Sequence, residues 1–99
     1  MTIGKTIENG TLTLTLEGKI SVNTSPQLQE ALIPALDEAG DVILDFSNIT
    51  FVASAGLRVL LIGQETANEK GVSLTLRRVS EEVMEVLEMT GFTDILTIV

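Results

Sequence analysis

The chain contains no cysteine, histidine, tryptophan or tyrosine. Without cysteine there is no disulfide framework and no thiolate nucleophile. Without histidine there is no imidazole base, and with both missing there is no Cys/His zinc site. Nucleophilic serine chemistry also loses its usual base. Three Phe provide no aromatic platform for stacking bases or sugars. Cations are scarce, with 6 Lys plus Arg against 14 Asp plus Glu and a net charge of −8. Such a surface repels phosphate backbones, which argues against nucleic-acid and anionic-membrane binding. The eight Gly are scattered and form no phosphate-cradling loop. The longest aliphatic run, Val59-Leu60-Leu61-Ile62, is far too short to span a bilayer. Met1-Thr2-Ile3-Gly4-Lys5 lacks the apolar core of a signal peptide. These absences predict a cytoplasmic protein with no cofactor, no metal and no enzymatic activity of its own. Glu81, Glu82, Glu85 and Glu88 are the densest acidic group, and their spacing reads as a solvated helix face.

What remains is a chain of 99 residues, 44% hydrophobic and 20% charged, which predicts one packed domain over residues 1–99. Thr2–Ile7 reads as a strand, and Asn9-Gly10 as a hairpin turn. Thr11-Leu12-Thr13-Leu14-Thr15-Leu16 alternates strictly, as a half-buried strand does. Ser25-Pro26 opens a helix, with Ser25 as cap and Pro26 in the first turn. Leu28, Ala31, Leu32, Ala35, Leu36 and Ala39 keep helical spacing up to Gly40, with Pro34 as a local distortion inside. Asp41–Phe46 predicts a buried strand and Ser47–Thr50 a loop. A second helix is expected from Ser54 to Glu69, with Leu57, Leu60, Leu61 and Ala67 inward and Lys70-Gly71 ending it. Val72–Leu76 alternates as a strand. Ser80 caps a third helix whose inner face holds Val83, Met84, Leu87 and Met89, and Asp94–Val99 reads as a last strand. The fold class is α/β, in the order β-β-α-β-α-β-α-β. Its mixed sheet opens with an antiparallel hairpin and is covered by helices.

Asp45–Leu61 is the most informative segment: a strand ends, a loop crosses, and Ala53-Ser54-Ala55-Gly56 leads into an apolar helix. Ser54 has two readings. One is a plain helix cap. The other is a phosphate acceptor, because a phosphate there faces unpaired N–H groups and the positive end of the helix dipole. It adds about −1.5 to −2 charges at pH 7. Arg58, one turn on, is spaced to approach it, and is equally readable as an ordinary exposed cation.

These segments resemble the STAS family, named for sulfate transporters and anti-sigma factor antagonists, over nearly the whole chain. The resemblance is carried by Leu16-Glu17-Gly18-Lys19-Ile20-Ser21, Leu28 to Leu36 and Val42-Ile43-Leu44-Asp45-Phe46-Ser47. It is strongest in Phe51-Val52-Ala53-Ser54-Ala55-Gly56-Leu57-Arg58-Val59-Leu60-Leu61, with Val86-Leu87-Glu88-Met89-Thr90-Gly91-Phe92 as late support. It implies a stand-alone bacterial anti-sigma factor antagonist that binds an anti-sigma factor which is also a serine kinase. That binding frees a sigma factor. Phosphorylation at Ser54 releases the antagonist, and a phosphatase resets it. Separately from the resemblance, a monomer is the default expectation. The implied docking surface comprises Ser21, Asn23, Thr24, Asn48, Ala53, Ser54, Ala55, Gly56, Arg58, Val59 and Ile62, the last two as apolar residues outside the inner stripe. Ala53 and Ser21 stand where the family pattern carries Asp. A second possibility is a STAS module of another system, such as a lipid ABC transporter subunit or a stress-signalling scaffold, without the phosphoswitch.

Overall fold

In the computed structural model, which describes residues 1–99, the chain first reverses at Asn9-Gly10, both with positive φ (50° and 83°). That is the turn geometry for which Asn-Gly is suited. It joins β1 (Thr2–Glu8) to β2 (Thr11–Ile20) in antiparallel register. β3 (Asp41–Val52), β4 (Ser73–Arg77) and β5 (Thr97–Ile98) follow, each parallel to the strand before it, in the order β1-β2-β3-β4-β5. The crossovers are α1 (Ser25–Glu38), α2 (Ser54–Lys70) and α3 (Glu81–Met89). The mixed sheet, its opening hairpin and the element order are those expected.

Register turns alternation into a core. Leu12 faces Val42 and Leu74 across the sheet, and Leu14 faces Leu44 and Leu76. All six are at most 2% exposed. The intervening row, Thr13, Ile43, Thr75 and Thr97, is half-buried or exposed. One sheet face is therefore dry, and the threonines pave the other. This is why parallel strands here alternate instead of reading as continuous apolar runs. Ile3, Lys5 and Ile7 lie opposite Leu16, Leu14 and Leu12, and Lys5 Nζ reaches Glu38 Oε1 of α1 at 2.6 Å.

The expected loop at Ser47–Thr50 is strand. β3 runs on to Val52 and pairs with Glu17–Ile20 through two irregularities, at which β3 carries extra residues. Each bulge advances the side-chain pattern by one. Phe46, Ile49 and Val52 are thereby all buried at a spacing of three, while Ser47, Asn48, Thr50 and Phe51 are exposed. A search for period two cannot find such a strand.

The helices hold most of their expected limits. Ser80 Oγ accepts the Val83 N–H at 3.2 Å, so the cap of α3 is present. Gly71 is left-handed (φ 69°) and ends α2, with the Val72 N–H donating to the Ala67 carbonyl at 2.9 Å. Pro34 lies inside α1, and Pro26 in its first turn. Four expectations fail. Ser25 is the first helical residue and Thr24 precedes it, so Ser25 is no cap. α1 ends at Glu38 with Ala39 extended, before Gly40 is reached. Met89 is 86% exposed, because α3 stops there and Thr90 turns the chain away. The last strand shrinks to Thr97–Ile98, since Phe92–Asp94 coils into a 3-10 turn behind left-handed Gly91.

Candidate functional site

The carboxyl ends of β2 and β3 meet at one rim. Ile20 pairs with Val52, and the Ala53 N–H donates to the Ile20 carbonyl at 2.8 Å, extending the ladder one residue past the strand. The same Ala53 begins the helix. Its carbonyl accepts the N–H groups of Gly56 (2.9 Å) and Leu57 (3.1 Å). Ala53 is thus the residue before the first turn of α2, and it has no side chain with which to cap. Ser54, read from sequence as a cap, is instead the first helical residue. It is exposed, and its hydroxyl makes no hydrogen bond within the chain.

The neighbouring Ser21–Thr24 loop is closed on itself. Thr24 Oγ1 donates to the Lys19 carbonyl at 2.7 Å and accepts the Ser21 N–H at 2.8 Å. A hydroxyl has one hydrogen, so in the 3.2 Å pair between the two side chains Ser21 is the donor. The Ser25 N–H then donates to the Ser21 carbonyl at 2.8 Å. Ser21 and Thr24 therefore shape the loop, and the outward residues are Asn23 and Val22, the latter 70% exposed. Val22 was missed in sequence. The available signal is an apolar residue in a polar turn directly after a strand.

α2 lies very close to this rim. A Cβ on Gly56 would fall 2.5 Å from Ile20 Cγ2 and 3.0 Å from Val52 Cγ1, so only glycine fits without displacement. Gly56 is buried and holds the helix down; it offers no surface. Val59 is only 4% exposed and belongs to the core, so it is not the outward apolar residue expected. Ile62 is half-buried. Together Ser25, Pro26 and Gln29 of α1 and Ala55, Arg58, Val59 and Ile62 of α2 line a cleft of about 350 Å³. Asn48 is not brought to this cluster. It pairs with Glu17, two residues beyond Thr15, on the polar sheet face.

The most perturbed titratable group lies away from Ser54. Asp45 is 5% exposed. Burial opposes its charge. The Ser47 N–H (2.9 Å to Oδ1) and hydroxyl, with Arg77 (3.4 Å) and the charge of Arg78 (3.6 Å), outweigh burial and hold the carboxyl below its ordinary value. Arg78 has a left-handed backbone (φ 58°), and this contact helps to pin that corner before α3. No three His, Cys, Asp or Glu side chains gather as a metal site, and no helix is long and apolar enough to cross a membrane.

Residues 3–98 match the family model described as "Mlab, STAS domain". The anti-sigma-B factor antagonist of Bacillus subtilis is 29% identical over 83 residues, 84% of this chain and 76% of that protein. An anti-sigma factor antagonist from Mycobacterium paratuberculosis superimposes with a TM-score of 0.88 at 19% identity, covering 98% of this chain and 83% of the other. The anti-sigma factor antagonist SpoIIAA in its unphosphorylated form gives 0.81 at 16% identity over 99% and 88%. Its phosphorylated form gives 0.75 at 15% over 99% and 91%. The match over residues 3–98, on a five-stranded sheet with this element order, places the chain in the STAS domain family.

Proposed function

We propose that residues 1–99 work as one STAS domain, an anti-sigma factor antagonist acting as a monomer in the bacterial cytoplasm. Its partner is an anti-sigma factor that is also a serine kinase, and binding frees a sigma factor. The partner docks on the rim formed by Val22, Asn23, Ala53, Ser54 and Ala55 and on the adjoining cleft with Arg58 and Ile62. Ser54 is the control point. The observation that carries this reading is its hydroxyl, which is exposed and unused by the fold because Ala53 occupies the cap position. A side chain with no structural duty is open to modification at no cost to the helix.

In the transfer step Ser54 Oγ bonds to the γ-phosphorus of ATP. The bond from that phosphorus to the bridging oxygen breaks, ADP departs, and the hydroxyl proton passes to a base of the kinase. The product phosphate lies over the unpaired N–H groups and positive dipole end of α2, an interaction of about 0.3–1 kcal/mol at an exposed site. The folded chain thus accepts the charge, while an apolar partner surface meets an anion and leaves. A phosphatase restores the hydroxyl. All catalysis belongs to the partners.

Sequence relatives named anti-sigma-B factor antagonist support this role. Incubation with kinase-type anti-sigma factors of the same genome, read by pull-down and by intact mass with ATP, tests it. Wild type is expected to bind and gain one phosphate, and Ser54→Ala to bind without gaining it. Failure to bind any of them overturns the proposal. One observation favours a second reading, a STAS module of another system without the switch: Ser21 and Ala53 bring no carboxylate to the acceptor. A permease gene beside this one supports that reading, and a kinase-like ATPase gene supports the first.

A further inference from the structure

Six cations serve this chain, and four are already engaged. Lys5 pairs with Glu38, Lys70 with Asp37, and Arg77 and Arg78 with Asp45. Only Lys19 and Arg58 lack a carboxylate partner. Lys19 stands at the end of β2, and Arg58 is exposed on the wall of the α1–α2 cleft, one helical turn from Ser54. In a chain of net charge −8, an arginine left unpaired beside a cleft is a specific feature. The rest of that cleft is apolar or neutral: Pro26, Ala55, Val59 and Ile62, with Ser25 and Gln29. No acid lines it.

We propose that this cleft receives an apolar segment of the partner bearing a carboxylate, with Arg58 as its counter-ion, and that a phosphate on Ser54 competes for the same arginine. The inference rests on the antagonist reading and names the chemistry of its partner. Aliphatic side chains suit the wall of Pro26, Ala55 and Ile62. A guanidinium takes a carboxylate through two parallel N–H···O bonds and repels a cationic segment. Position 58 is also one turn from position 54, within reach of a phosphate there. The phosphate then acts twice, adding negative charge at the rim and withdrawing the cation that the partner's acid requires.

The test uses the full chain and the kinase-type anti-sigma factor captured above. Arg58→Gln is expected to weaken binding by about ten- to hundredfold, the range for one charge-assisted contact. Arg58→Lys is the direct probe. A carbodiimide joins its amine to a carboxylate in contact, and peptide mass spectrometry is expected to find the amide at position 58. Ser54→Glu in the same background should abolish that adduct. Unchanged affinity in Arg58→Gln, or a formed complex with no adduct at position 58, overturns the contact and leaves the antagonist reading intact. No binding by the wild-type protein overturns both.

Discussion

Gly56→Ala adds one methyl group at the point where α2 lies on the strand ends. The new Cβ would fall 2.5 Å from Ile20 Cγ2, 3.0 Å from Val52 Cγ1 and 3.2 Å from Ile20 Cβ. Carbon atoms pack at about 3.5–4.0 Å, so roughly 1 Å must be found. Ile20 is fully buried and Val52 nearly so, and both are β-branched with little freedom at χ1. Lifting the helix instead strains the 2.8 Å bond from the Ala53 N–H to the Ile20 carbonyl, the link between rim and helix. Overpacking of this kind costs about 1–3 kcal/mol, while removing glycine from a helix returns about 0.5–1 kcal/mol. The expected net loss is about 1–2 kcal/mol, a fall in melting temperature of roughly 4–16 °C for a domain of this size. Gly63→Ala provides the comparison. Its Cβ meets Leu32 Cδ2, also at 2.5 Å, but that atom is the end of one flexible side chain. Its loss should be the smaller of the two. Urea unfolding of both variants, with m checked for constancy, measures the difference. A Gly56→Ala protein as stable as wild type, or less affected than Gly63→Ala, would show that the close approach of α2 is not a constraint.

Three further outcomes follow from the same contacts. Ser54→Ala should leave thermal stability within about 0.5 kcal/mol of wild type, because the hydroxyl caps nothing; a loss near 1 kcal/mol in urea melts would restore the capping role. Ala53→Asp should stabilise by roughly 0.5–1 kcal/mol, since the cap position now lacks an acceptor, and calorimetry showing a lower melting temperature would contradict the assigned helix start. For Asp45 the folded pKa is depressed, so its stabilisation is complete above the ordinary value near 3.8 and is lost as pH falls through the folded value. Asp45→Asn should therefore be less stable than wild type at neutral pH, and the gap should close as pH falls below about 4; a gap independent of pH would assign the loss to packing.

Most of the architecture was readable because its signals are local. Thr11–Leu16 alternates, Asn9-Gly10 turns, Ser80 caps, and Lys70-Gly71 stops a helix, each within a few residues. The failures around the site share one cause: their determinants are distant. The second half of β3 looked like a loop because its apolar period of three makes sense only against β2, where two bulges absorb the extra residues. Ser54 looked like a cap because Ser is a preferred capping residue. The hydrogen bond from Ala53 to Ile20, 33 residues back in the chain, moves the helix start by one position. Val59 looked peripheral until α1 was laid beside it, and Gly56 looked like surface until Ile20 was seen beneath it. Asn48 was near Ser54 in sequence but lies on the polar sheet face with Thr15 and Glu17.

Strand order also bears on what this rim can serve. In open parallel sheets small ligands bind beyond the carboxyl ends of the strands, where the order reverses and two crossovers diverge to leave a crevice. Here the order runs β1-β2-β3-β4-β5 without reversal, so every crossover steps the same way. No reversal sends two crossovers to opposite faces, so no switch-point crevice forms above Ile20 and Val52. The carboxyl ends carry instead a raised loop with Val22 at its tip, an exposed serine, and a shallow trough between two helices that stay side by side. On the proposed function, this relief meets a protein partner that brings its own catalytic groups. The missing histidine and cysteine then cost this chain nothing. On the proposed reading it supplies a hydroxyl, a guanidinium and a shape, and the enzyme that reads them supplies the base, the metal and the nucleotide.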